Sequence, residues 1–209
     1  MLAGSFDDTL AFGGAAQPIS SAGMLDVWVA KLDASGNGTW AARFGAAGID
    51  REPRIAMNAA GDVYVGGTFS GQVAFGAINL VSQGGEDLFL AKLRGGDGSV
   101  AWAVSFGSVG TDQILDVAAD AAGHVVVSGD FGGAGTTNVD AFVASFEATT
   151  GASRWRHVFA TSGDDRSFAA TYGRNGDVYA LVGLGGAFDF GMPILGPAGP
   201  AAVLLRIAP

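Results

Sequence analysis

Residues 61–123 read GDVYVGGTFSGQVAFGAINLVSQGGEDLFLAKLRGGDGSVAWAVSFGSVGTDQILDVAADAAG, and the pattern then begins again. Four short runs recur in it: a (ILDVAAD, 114–120), b (DVYVGGTF, 62–69), c (DLFLAKL, 87–93) and d (VAWAVSF, 100–106). Each is rich in Val, Ala, Leu and aromatics and is bounded by Gly, Asp or Ser, which is the signature of a β-strand. Recurrence at a period of some tens of residues marks solenoids, propellers or arrays.

Working outward from this stretch, the same runs lie on both sides. Residues 1–6 align with 64–69 and open the chain inside a strand b, followed by c at 26–32 and d at 39–44. The next set is a at 54–59, then b, c and d as above. A third has a at 113–120, b at 124–131, c at 140–146 and d at 153–159; a last has a at 167–172, b at 177–184 and c at 201–207. The expectation is fourteen strands in the order b-c-d, a-b-c-d, a-b-c-d, a-b-c, and a chain that is a piece of a longer array.

Trp40 to Gly61, Trp102 to Gly123 and Trp155 to Gly176 are each 21 residues apart, yet Gly61 to Gly123 spans 62 and Gly123 to Gly176 spans 53. All of that difference falls between b and c. The d–a segment therefore has a fixed structural job, and the variable b–c loops are where binding function is expected. Each a–b turn ends in Gly (Gly61, Gly123, Gly176), where a positive φ closes a hairpin.

Four antiparallel strands per repeat predict an all-β chain of β-propeller blades. About four are present: two complete (54–106 and 113–159) and two trimmed (1–44 and 167–209), in one segment spanning 1–209. In that arrangement the a strands line an axial channel. The d–a segments (45–52, 107–113, 160–166) share one face with the b–c loops (7–25, 70–86, 132–139, 185–200). An open arc would expose an apolar face at each end, and self-association through the terminal blades follows.

The units GxxDxFLAKL (84–93), WAVSFGSxGTD (102–112) and VAxDAAGxVYVxG resemble the SBBP-type bacterial β-propeller repeat. The resemblance covers essentially the whole chain; the last copy departs, with Gly199-Pro200-Ala201 in place of the GGxD that opens strand c. It implies part of a secreted or surface-attached bacterial protein, hence an extracellular or cell-surface location, and it carries no shared catalytic motif to transfer.

Composition narrows the function classes. With 11 Lys and Arg against 20 Asp and Glu, the net charge is -9, which opposes binding to nucleic acid. There are no cysteines, so disulfides and Cys-based catalysis or metal ligation are excluded. No apolar run is long enough to predict membrane insertion.

Among residues that might carry chemistry, Asp50, Asp112 and Asp165 recur at the start of strand a. One reading is a ring of carboxylates on the loop-rich face, able to bind a cation or a basic ligand. The other is a side chain capping loop N–H groups once per repeat. A residue needed in every repeat favours the second, and the same holds for Asp26, Asp87 and Asp140 before strand c. DASGNG (33–38) and GGDGS (95–99) lack the alternating oxygen ligands of a calcium loop and read as turns. Trp40, Trp102 and Trp155 in d, with Trp28, Phe89 and Phe142 in c, read as core rather than as sugar platforms. His124 and His157 read as surface residues, and Ser82 and Ser128 have no His partner at a recognisable spacing. No metal and no cofactor is expected.

Three functions remain. The first is a non-catalytic interaction or spacer module with a protein or glycan ligand. The second is an enzyme of hydrolase or lyase type with its site where the channel meets the loop-rich face. The third is carbohydrate or calcium binding by the b–c loops.

Overall fold

The structure is a computed structural model that describes residues 1–133, 138–188 and 200–208. The described residues form an all-β chain without helices, built from antiparallel sheets. The first sheet holds β1 (Leu2–Phe6), β4 (Asp26–Leu32) and β5 (Gly38–Phe44), and a small hairpin of β2 (Thr9–Leu10) and β3 (Ile19–Ser20) is inserted between β1 and β4. The second holds β6 (Asp50–Met57), β7 (Val63–Phe75), β8 (Ile78–Leu93) and β9 (Val100–Phe106) in chain order. The third repeats this with β10 (Gln113–Ala119), β11 (Val125–Gly132), β12 (Val139–Phe146) and β13 (Ser153–Phe159). The fourth holds β14 (Arg166–Tyr172), β15 (Val178–Leu184) and β16 (Ala201–Ile207).

All fourteen expected strands are present; β6 starts at Asp50, four residues before the run read as strand a, and β7 and β8 are much longer than read. Residues 70–86, expected as a loop, continue β7 and β8 as a paired ribbon, with Gln72 opposite Val81 and Phe75 opposite Ile78. The alternation Val73, Phe75, Ile78, Leu80 puts apolar side chains on one face, and Gly76 at φ 63 turns the chain. Phe75 is fully buried against Phe44 of the first sheet, 4.8 Å between ring centroids, so the ribbon belongs to the core. Of the b–c loops 132–139 and 185–200, residues 134–137 and 189–199 lie outside the described residues, whereas 7–25 carries the β2–β3 hairpin.

Strand alternation gives each sheet two apolar faces, and three clusters fill the gaps between successive sheets. Val27 and Val29 meet Val63, Val65 and Phe89; Tyr64, Leu88 and Leu90 meet Ile114, Val117 and Phe142; Val126 and Val143 meet Ala180 and Val182. Phe89 and Phe142 are wholly buried, each contributing about 2–3 kcal/mol of transfer free energy.

Polar contacts repeat at the same seams. The residue before each c strand lies beside the start of the next a strand, and its carbonyl accepts an aspartate N–H: Asp50 to Leu25 (2.7 Å), Asp112 to Glu86 (2.9 Å), Asp165 to Val139 (2.8 Å). At the opposite end, Trp40 Nε1 and Lys31 Nζ of the first sheet both donate to the Gly95 carbonyl, at 3.2 and 2.8 Å. Trp102 Nε1 and Lys92 Nζ of the second do the same to Ala148, at 3.2 and 3.3 Å. The a–b glycines stand at φ 85, 88 and 86, as their turns require.

Candidate functional site

The three recurrent aspartates stand at the beginnings of the a strands, and all are fully buried. Each accepts the backbone N–H four residues earlier through Oδ2: Asp50 from Ala46 (3.1 Å), Asp112 from Ser108 (2.5 Å), Asp165 from Thr161 (2.6 Å). Asp26 and Asp87 do likewise with Ala22 and Gln83, both at 2.6 Å. The Oδ1 atoms of Asp112 and Asp165 take a hydroxyl, from Ser108 and Thr161, and the N–H of Gly132 and Gly185 on the next strand. These side chains close the d–a corner of each repeat, the capping role weighed above, and none of the three presents a side chain to solvent.

Asp50 differs. Ala46 supplies no hydroxyl, and Ser70 stands where the other repeats have Gly132 and Gly185. The serine hydroxyl bonds Ile49 N–H instead (3.1 Å), leaving Asp50 Oδ1 buried and without a partner. Burial, with the Asp26 charge adding to it against the Ala46 hydrogen bond, pushes the Asp50 carboxyl up to about 7. Burial also raises Asp112, opposed by its bonds from Ser108 and Gly132. Asp140 rises too, through burial and then the charge of Asp165.

The residues that follow these aspartates form a different constellation. Arg51, Gln113 and Arg166 are repeat equivalents, and each lies directly across its hairpin from an equivalent b-strand residue: Thr68, Asp130 and Gly183. Arg51, Thr68, Gln113, Asp130 and Arg166, with Glu52, Glu86 and Thr111, wall a pocket of about 250 Å³ on the loop-rich face. Asp112 forms part of its floor; Asp50 and Asp165 are not in it.

Each of the three a strands carries a bulge two to three residues past its aspartate, a device that re-aims side chains. In β6 the bulge holds Glu52 at φ 56, the one non-glycine with positive φ among the described residues. Strain of this kind concentrates at ligand sites. Glu52 Oε2 accepts from Gln113 Nε2 at 2.6 Å across the seam, and Arg51 Nη2 donates to Glu86 Oε2 at 2.7 Å. Arg166 Nη1 forms an ion pair with Asp130 Oδ2 at 3.4 Å, without the alignment of a hydrogen bond.

Two nearly inaccessible groups on this wall have no hydrogen-bond partner: Asp130 Oδ2 and Thr68 Oγ1, in residues 3% and 2% exposed. Arg51 Nε is a third unpartnered polar atom there. Burial raises Asp130 to about 6, Arg166 opposing it and the charges of Asp112, Asp164 and Glu52 adding to it. Among the described residues no group of three or more acidic or His side chains is arranged to hold a metal ion.

Compared with known proteins, the chain matches no family model and no curated protein. The function must therefore be argued from this geometry. The sequence reading singled out the residues that recur and missed Arg51, Glu52, Glu86, Gln113, Asp130 and Arg166, which do not. The available signal was positional: Arg51, Glu52, Gln113 and Arg166 follow a recurrent aspartate, Glu86 precedes one, and Asp130 lies across the hairpin from Gln113. Trp40 and Trp102 do serve as core, 7% and 6% exposed; Trp155 is half-buried against the third seam, and Trp28, also half-buried, lies outside the core clusters and packs on Phe12. His124, read as a surface residue without neighbouring carboxylates, lies 2.9 Å from Asp120 and 3.7 Å from Glu147.

Proposed function

We propose that the chain is a β-propeller segment of the SBBP type. Its four sheets are successive blades, and it serves as a non-catalytic interaction module of a bacterial secreted or cell-surface protein. Each sheet packs its faces on its neighbours through one repeated set of contacts, which supports the blade reading. The observation that carries the functional reading is the division of labour among polar residues. Those identical in every repeat close corners and seams, whereas those that differ meet in one pocket on the loop-rich face. A protein that only spaces its neighbours apart has no use for unpartnered buried groups in such a pocket.

A binding screen against glycans and peptides, read by chemical-shift changes at Thr68, Gln113 and Asp130, tests this. Changes confined to the pocket with no turnover support it; a ligand that moves only residues elsewhere overturns it.

One observation favours a second reading, an enzyme. Burial pushes the Asp130 carboxyl up to about 6, and Glu52 lines the same pocket; a cavity holding two carboxyl groups, one of them shifted, is where general acid–base chemistry is found. Hydrolase or lyase turnover lost in both Asp130→Asn and Glu52→Gln would establish it, and an inactive wild-type protein removes it.

A further inference from the structure

The pocket's unmet groups define the chemistry of its occupant. Asp130 Oδ2 needs a donor, Arg51 Nε needs an acceptor, and Thr68 Oγ1 can take either. The charges on the wall are mixed: Glu52, Glu86, Asp112 and Asp130 against Arg51 and Arg166. An anion would face four carboxyl groups. A cation would face two guanidinium groups, and the wall has no metal-holding cluster. Hydroxyl groups donate and accept from one atom and bring no charge, so a few of them in fixed relative positions satisfy all three. At about 250 Å³ the space is below the usual range for drug-sized ligands.

Resting on the interaction-module reading, we propose that this pocket binds a small uncharged molecule with neighbouring hydroxyl groups, of monosaccharide size. Thr68 and Asp130 at its base contact the hydroxyls, and Arg51 closes over an oxygen. Glu52, held in its bulge by Gln113, ties the second sheet to the third across the opening.

The test is a two-dimensional NMR titration of the 209-residue chain with glucose, galactose, mannose, N-acetylglucosamine and inositol, beside glucuronate, arginine and calcium chloride. Saturable shifts at Thr68, Gln113 and Asp130 with a neutral polyol, absent with the charged probes, are expected. Thr68→Val should weaken that binding about tenfold, the loss typical of one hydrogen bond in a site built for it. The same substitution removes a buried hydroxyl without a partner, so the free protein should melt no lower than wild type. A structural role for Thr68 would instead lower the melting temperature. Asp130→Asn, which keeps shape and one acceptor, serves as the companion variant and should weaken the same binding. Tighter binding of a charged probe at these residues overturns the ligand class but leaves the interaction-module reading standing. No pocket shifts with any probe overturns the assigned class outright.

Discussion

At the scale of single residues, Asp50 is the informative carboxyl. Its folded-state pKa of about 7 lies above the value near 3.8 of an exposed aspartate, so the folded chain holds this proton more tightly than the unfolded chain does. The stability it contributes is therefore full below about pH 4 and declines as pH rises towards 7, where the folded form must also give the proton up. Asp130, raised to about 6, contributes in the same direction. The melting temperature should be higher at pH 5 than at pH 8, and Asp50→Asn should shrink that difference while keeping an acceptor for the Ala46 N–H. An equal difference in the variant would mean that overall charge repulsion, not Asp50, sets the slope. The corner aspartates were legible in the sequence because one backbone need recurs in every repeat and selects one side chain. The pocket was not, since its residues share a place in the fold but no residue type: Arg51, Gln113 and Arg166 look unrelated until their cross-strand partners are known.

At the scale of elements, the turn between c and d shows how position in the array decides the cost of a substitution. Gly36, Gly98 and Gly151 occupy this turn in the first three sheets with φ of 84, 73 and 70. A Cβ on Gly98 would lie 2.6 Å from the Trp40 ring, and one on Gly151 equally close to Trp102, while Gly36 has open space. Gly36→Ala should cost only the backbone term, about 1–2 kcal/mol. Gly98→Ala should cost about 1–3 kcal/mol more, because the indole above it has to move. Urea denaturation of the two variants checks this, and equal losses would show that the indole yields freely. Strand boundaries were legible where Gly or Ser bounded them, as in Val100–Phe106 between Ser99 and Gly107. The 70–86 ribbon was misread because Gly71, Gly76, Gly84 and Gly85 look like loop residues, while its alternating apolar face becomes meaningful only beside Phe44.

For the whole molecule, three seams in series mean that stability accumulates through nearest-neighbour terms. Among the described residues the fourth sheet has one seam and an exposed face carrying Phe168, Leu181 and Leu204, and β16 lies at its edge, where exposure alternates along the strand. Its amides should exchange with solvent well before those of β7 and β8, whose segments Val63–Phe69 and Leu88–Ala91 are shut in on both faces. Hydrogen exchange read by mass spectrometry measures this, and uniform protection across the chain would mean one cooperative unit instead. The repeated order of strands was legible because periodic sequence encodes periodic structure. The packing of one sheet on the next needed coordinates, since a residue such as Gly66 reveals its role only through the Ile114 and Val117 side chains that press on it from the next sheet.

The indole and ammonium groups that join one sheet to the next do not seek a partner side chain; they end on a main-chain oxygen, that of Gly95 or Ala148. A backbone oxygen is supplied by whatever residue occupies the site. A duplicated or deleted unit would therefore meet its new neighbour already compatible, with no matching mutation required. Such a gene can lengthen or shorten by whole modules, and drift is left free to diversify the few positions that line the mouth.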